Sequence, residues 1–190
     1  MLIESVPNFS EGRRPEVVDA LARAVTATPG AYLLDRTSDA SHNRSVLTIA
    51  GEAEAVTSAL DAAVEVAIRE IDMEQHSGEH PRIGAVDVIP FVPLGETTLD
   101  EAITLATSYG RHVAEHFEIP VYLYARAASR PDRVRLADVR RGGYEGLRDE
   151  ISQRGREPDF GPARMHPRAG AVAVGARPFL IAWNINLESA

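Results

Sequence analysis

Apolar residues recur along this chain at two spacings, and the spacings predict its elements. Val17, Val18, Leu21, Ala22 and Val25 fall on one helical face after Pro15, which suits a first helical turn, and the run stops before Pro29-Gly30. Val56, Leu60, Ala63, Val64, Ala67, Ile68 and Ile71 mark a second amphipathic helix. Leu99, Ala102, Ile103, Ala106, Tyr109, Val113 and Phe117 mark a third. Strands are predicted at Leu2–Val6, Tyr32–Leu34, Ser45–Ala50, Ala85–Val92, Val121–Tyr124, Ala171–Val174 and Phe179–Leu187. Between them, residues 8–12, the polar stretch 36–44, the Arg-rich stretch 126–143 and the Pro/Gly-rich stretch 155–170 read as loops, and Tyr144–Arg154 as a short helix.

The strand-helix-strand order, with no linker or repeat, predicts one α+β domain over residues 1–190. Its expected architecture is one mixed β-sheet with helices packed on one face. The other face then needs polar residues, a ligand or a partner. In the closing strand, Phe179, Ile181, Trp183, Ile185 and Leu187 share one side. Asn184 and Asn186 end the other side, an odd core and a reasonable binding surface.

Composition removes whole classes of chemistry. Twenty basic against 28 acidic residues leave a net charge of −8, a poor basis for binding nucleic acid or an anionic membrane. All 20 basic residues are Arg, which excludes a lysine Schiff base and a phosphate-loop lysine. Cys is absent, so there is no thiol nucleophile, disulfide or cysteine-ligated metal. No 18-residue apolar run and no signal-like N-terminus are present, and a cytoplasmic location is expected.

Chemistry concentrates around His80. Gly78 and Gly84 bound its loop, Pro81 fixes the next φ and Arg82 supplies a cation. A histidine held at a strand entry suits a general base, because its pKa lies near neutrality; a surface histidine bonded to backbone is the plain alternative. His76-Ser77-Gly78-Glu79-His80 also has H-x-x-E-H spacing, but Gly78 and Pro81 oppose the helix a zinc site of that type needs, so no metal is expected. Asn43-Arg44 could grip a carboxylate or simply be solvated before a strand. Asp87, the one charge in its strand, reads as structural. Gly161, Pro162, Ala163, Arg164, Met165, His166, Pro167, Arg168, Ala169 and Gly170 read as a ligand-covering loop with two anion-attracting arginines, or as an ordinary surface loop.

Taken together in order, Val6-Pro7-Asn8-Phe9-Ser10-Glu11-Gly12, Leu33-Leu34-Asp35, Asn43-Arg44, Ile71-Asp72-Met73, Gly78-Glu79-His80-Pro81-Arg82-Ile83-Gly84-Ala85-Val86-Asp87-Val88, Pro120-Val121-Tyr122-Leu123-Tyr124, Pro158-Asp159-Phe160-Gly161-Pro162 and residues 179–187 resemble the formiminotransferase N-terminal subdomain family. That subdomain is found in glutamate formimidoyltransferase and in bifunctional formiminotransferase-cyclodeaminase. The resemblance covers almost the whole chain. It implies a ferredoxin-like sandwich and transfer of the formimino group of N-formimino-L-glutamate to N5 of tetrahydrofolate, in histidine degradation and one-carbon metabolism. It further implies tetrahydrofolate as co-substrate without a metal, His80 as the catalytic residue, and residues 161–170 as the folate-contacting loop. Asn8, Asn43, Arg44, Arg82, Asn184 and Asn186 complete the expected substrate- and folate-binding set. Where the family often shows Asp-x-Asp, this chain has Asp35-Arg36-Thr37, and Asp39 could stand in to orient the histidine.

The family's C-terminal subdomain and its cyclodeaminase module are not expected here, so a homodimer or a separate C-terminal partner is expected to cover the open sheet face. The alternatives are a formyl-transfer or 5-formyltetrahydrofolate salvage enzyme on the same cradle, and a catalytically silent folate-binding or interaction module.

Overall fold

A computed structural model describes residues 1–180 of the chain. Its sheet runs in the order β3-β4-β1/β2-β5-β7-β6. β1 (Leu2–Ser5) and β2 (Asn8–Phe9) are two pieces of one strand, broken near Pro7, and both pair antiparallel with β4 (Arg44–Glu52) and β5 (Val86–Pro93). Proline has no N–H to offer the ladder, which suits it to such a break. β3 (Ala31–Asp39) is the antiparallel edge strand on β4. On the other side, β7 (Val172–Ala176) pairs parallel with both β5 and β6 (Val121–Ala125). The sheet is therefore mixed, and the α+β sandwich is what the structure shows.

Three long helices, α1 (Pro15–Thr26), α2 (Ala53–Glu70) and α3 (Leu99–Phe117), bury their apolar stripes in one cluster with Ile3, Phe9, Leu47, Ile49, Ile89, Phe91, Leu123 and Val174. Each large apolar side chain buried there contributes about 1.5–3 kcal/mol. Pro15 sits at the start of α1 as predicted. Thr98 starts α3 with a capping box: Glu101 N–H donates to Thr98 Oγ1 at 3.2 Å and Thr98 N–H to Glu101 Oε2 at 2.7 Å. Among the described residues no helix is long and apolar enough to cross a membrane.

The opposite face is half covered. Tyr122, Tyr124 and Ala173 alternate with the residues facing α3 and join Val88 in a second cluster with Val139, Leu147 and Ile151. Those last three come from α4 (Leu136–Val139), α5 (Gly143–Glu150) and the residue after it, with a single 3₁₀ turn at Pro131–Arg133 ahead of them. The stretch 126–143, expected to be irregular, thus supplies part of a second layer over β5, β7 and β6. Nothing described covers the same face of β3 and β4. Along β4, buried Ser45, Leu47 and Ile49 alternate with partly exposed Val46, Thr48 and Ala50, the pattern of a sheet wet on one side.

Two readings need correction. β3 does not stop at Leu34 but continues through Asp39, across much of the segment expected to be a polar loop. An edge strand exposed along most of its length gains nothing from apolar residues, so its polarity hides it. Asn8–Phe9, expected in a loop, resumes the strand as β2. Of the closing strand expected at 179–187, exposed Phe179 and Leu180 belong to no strand, and residues 181–187 lie outside the described residues together with Asn184 and Asn186.

Candidate functional site

The open face is built by alternation. Asn8 sits opposite Val46 on one side and Val88 on the other, so it shares their face, and Arg44 lies two residues before Val46 on that face as well. The sharp turn into β4 is made by Asn43, whose φ of 49° is a left-handed conformation that asparagine tolerates. Asn43 is locked there: its Oδ1 accepts from Gly12 N–H at 2.9 Å and its Nδ2 donates to Ser77 O at 2.9 Å. Its side chain ties the loops at residues 12 and 77 to the start of β4, so its amide oxygen and nitrogen both have partners within the fold. Asn8 spends its amide N–H on Val6 O at 3.0 Å and is partly exposed on the open face.

His80 stands beside Arg44, whose Nη1 lies 3.0 Å from His80 Nε2. Guanidinium is only a donor, so Nε2 carries the lone pair and Nδ1 the proton. Residues 78–82, Ala137 and residues 140–143 line a depression of about 520 Å³ at His80, with Arg140 on its wall. Burial, then Arg44, Arg140 and His42, lower the His80 pKa to about 4. The imidazole is therefore neutral at physiological pH. Burial, then Arg140, lower Arg44 from its ordinary value, with Asp87 and Asp39 opposing.

Asp39 does not orient His80. It accepts from His42 N–H at 2.8 Å and lies 3.1 Å from His42 Nδ1, and the His42 ring meets His80 edge-on at 6.1 Å between centroids. Asp87 is buried, accepts from Ile83 N–H at 2.9 Å and is paired with Arg140. Burial raises its carboxyl, while Arg140 and then the Ile83 N–H pull it back. The structural reading of Asp87 was right but incomplete, since the cation it holds reaches the histidine.

Arg82 is already engaged within the fold. Its Nε donates to His76 Nδ1 at 3.0 Å, its Nη1 and Nη2 reach both Glu145 oxygens at 2.9 and 2.7 Å, and its Nη2 also donates to His76 O. Those contacts bracket the His80 loop between its own start and α5. With Nδ1 so used, His76 turns its Nε2–H to Asn43 O at 3.2 Å. The two histidines of the H-x-x-E-H spacing thus have separate partners.

Residues 161–170 divide. At the stem, Ala85 N–H donates to Ala169 O at 2.8 Å and Ala171 N–H to Ile83 O at 3.0 Å, lacing the loop to the segment just past His80. A Cβ on Gly84 would come within 1.9 Å of Ala171 O, which explains glycine there. The outer part, Ala163 to Pro167, lines a different depression with Tyr144 and Arg148. Arg168 donates to the Ile68 and Arg69 carbonyls at 3.2 and 3.0 Å, capping the C-terminus of α2, so it is committed to the fold. Arg164 is exposed on this loop, while Gly161 and Gly170 hold the positive φ values of 85° and 72° that its turns need. His80 and Arg44 are brought together; the outer loop does not line their depression. Arg140 and His42 were missed as neighbours of His80, for an Arg-rich stretch does not announce which arginine turns inward.

The chain matches the model of the formiminotransferase domain, N-terminal subdomain, over residues 2–177. It is 47% identical over 188 residues to the formimidoyltransferase-cyclodeaminase of Rattus norvegicus, covering 99% of this chain and 35% of that protein. It is 43% identical over 188 residues to the glutamate formimidoyltransferase of Streptococcus pyogenes serotype M1, covering 99% of this chain and 63% of that one. With the glutamate formimidoyltransferase of Thermoplasma acidophilum it shares 46% identity over 190 residues, 99% of this chain and 62% of that protein. The chain thus spans about a third of the length of the bifunctional relatives and somewhat under two thirds of the others. It belongs to the formiminotransferase N-terminal subdomain family.

Proposed function

We propose that this chain is the His80-bearing part of a glutamate formimidoyltransferase, moving the formimino group of N-formimino-L-glutamate to N5 of tetrahydrofolate. The observation that carries the reading is a neutral imidazole set beside an arginine on an open sheet face. The N5 nitrogen attacks the amidine carbon and a C–N bond forms. The N5 proton passes to His80 Nε2 and returns to the glutamate nitrogen, whose bond to carbon then breaks. L-Glutamate and 5-formiminotetrahydrofolate leave, and His80 is restored. Neither a covalent enzyme intermediate nor a metal is called for. Residues 161–170, laced to the His80 segment at their stem, take the folate, with Arg164 as the exposed cation for its carboxylates.

The bare half of the sheet, edged by Tyr32 and Leu34 at 65% and 62% exposure, receives a C-terminal subdomain or a second copy of the chain. The second reading is a folate-binding module without activity of its own. A formimino-transfer assay on the chain, alone and mixed with the remaining part of the Streptococcus pyogenes relative, separates the two. The expected result is transfer that falls about 10²- to 10⁴-fold in His80→Ala with folate affinity little changed. Folate binding without transfer in either assay establishes the silent module, and near-normal turnover in His80→Ala removes His80 from the chemistry.

A further inference from the structure

Arg44 is an unusual guanidinium. It is partly buried, yet among the described residues no carboxylate lies within ion-pair distance of it, and its side-chain hydrogen bond goes to a neutral imidazole. The nearby acids are spent elsewhere: Asp87 on Arg140 and Ile83 N–H, Asp39 on His42, Glu145 on Arg82. The bond to His80 also has only one sense. Guanidinium cannot accept or lose a proton, so Arg44 occupies the very lone pair that a base at His80 must use.

We propose that Arg44 is an anion-operated cap on His80: the α-carboxylate of the formimino donor draws the guanidinium to itself and frees the Nε2 lone pair only once the donor is bound. This rests on the transfer reading above and deepens it by assigning the residue that reads the donor. A carboxylate offers the guanidinium an opposite charge and a bidentate fit, neither of which a neutral imidazole has, so the exchange runs toward the anion. The α-carboxylate is the group concerned because it hangs from the carbon bearing the departing nitrogen, which Nε2 must also reach. The distal carboxylate lies two carbons further away.

Uncapping and strengthening of the base come together. The groups acting around His80 are Arg44 from β4, Asp39 at the end of β3, His42 from the β3–β4 turn, Arg140 following α4, Asp87 from β5, and Glu79 and Arg82 flanking it. Of the two guanidiniums that hold His80 low, Arg140 is paired with Asp87, whereas Arg44 has no carboxylate within ion-pair distance among the described residues. A carboxylate arriving at Arg44 cancels that cation, and the His80 pKa rises while its lone pair is released. The N5 proton then goes to Nε2, and the imidazolium returns it to the leaving nitrogen.

The test is a pH titration of the His80 imidazole by ¹⁵N NMR in the chain, with no folate present. Without ligand, His80 is expected to titrate at about 4, as the Nδ1–H tautomer. Saturating L-glutamate is expected to raise the titration by about a pH unit or more, and 4-aminobutyrate, which lacks the α-carboxylate, to leave it in place. Arg44→Met is expected to raise it without ligand and to abolish the glutamate response, and Arg44→Lys to restore part of both. Unchanged titration in Arg44→Met, no response to L-glutamate in the unaltered chain, or equal responses to the two amino acids each overturn the proposal. No transfer assay enters, so a glutamate-dependent rise in a chain that transfers no formimino group supports the cap and overturns only the transfer reading.

Discussion

The two halves of the sheet are finished to different degrees. In the half formed by β5, β7 and β6, apolar layers close both faces, nearly every residue is buried, and the intruding charge of Asp87 is answered by Arg140. In the half formed by β3 and β4, burial alternates along β4, the edge strand is exposed along most of its length, and Arg44 on the open side has no carboxylate within ion-pair distance among the described residues. His80 stands at the seam, bonded to Arg44 of the open half and sharing a depression with Arg140 of the covering layer. Stability is concentrated where the sheet is closed. The group available for chemistry sits where closure stops, because only there can a cation remain unanswered until a ligand arrives.

The largest effect that tests this contrast comes from the two ion pairs, one in each half. Asp87 in its pair with Arg140 has a side chain 2% exposed, whereas the Asp19–Arg36 pair, between α1 and β3, is 47% and 42% exposed. Asp87→Asn strands a nearly buried guanidinium close to a second one, and should cost about 3–5 kcal/mol in urea unfolding. Asp19→Asn should cost about 0.2–1 kcal/mol, since water screens the pair and solvates the survivor. Similar losses in the two variants would dissolve the contrast.

A smaller effect sharpens the same comparison through packing alone. Ala173 in β7 is 0% exposed and packed in the second cluster, while Ala50 in β4 is partly exposed opposite Tyr32. Ala173→Leu forces extra atoms into a filled layer and should cost about 1–3 kcal/mol. Ala50→Leu meets an open face and should stay within about 0.5 kcal/mol. Denaturant midpoints for the two variants read the difference directly, and a heavy loss in Ala50→Leu would mean that the open half is packed after all.

The same division decides how far the chain can be read without coordinates. The three long helices were legible because each has an apolar stripe of period 3.6, and β5, β6 and β7 were legible as apolar runs between breakers. β3 was legible only to Leu34, for Asp35 to Asp39 carry no apolar alternation, and what holds them extended is the ladder to β4. The second layer was invisible because Val139, Leu147 and Ile151 are too widely spaced to mark it. At the site, His80 stood out by its glycine-bounded loop and Arg44 by its place before a strand. The internal partners of Arg82 and Asn43 were not legible, because a polar residue's type does not tell whether its hydrogen bonds are already spent inside the fold. Long-range pairing decides that, and sequence spacing carries none of it.

The smallest expected effect concerns the seam itself. An unfolded histidine titrates near 6.5, whereas burial and then Arg44, Arg140 and His42 hold His80 at about 4. Between those values the unfolded chain binds a proton that the folded chain refuses. Stability attributable to His80 is therefore fully present above about pH 6.5 and is lost as pH falls toward 4. Because the ring is only partly buried, screening by water reduces the loss to about 1–2 kcal/mol. Burial lowers His76 and His166 as well, so the unaltered protein alone cannot isolate the effect. The difference between it and His80→Gln can, because both other histidines remain in each. Unfolding free energies measured from pH 7.5 to 4 should show the unaltered chain losing ground to His80→Gln below pH 6.5. Parallel curves would mean that the cations at the seam do not press on His80, and the contrast between an answered and an unanswered charge would lose its reach into the site.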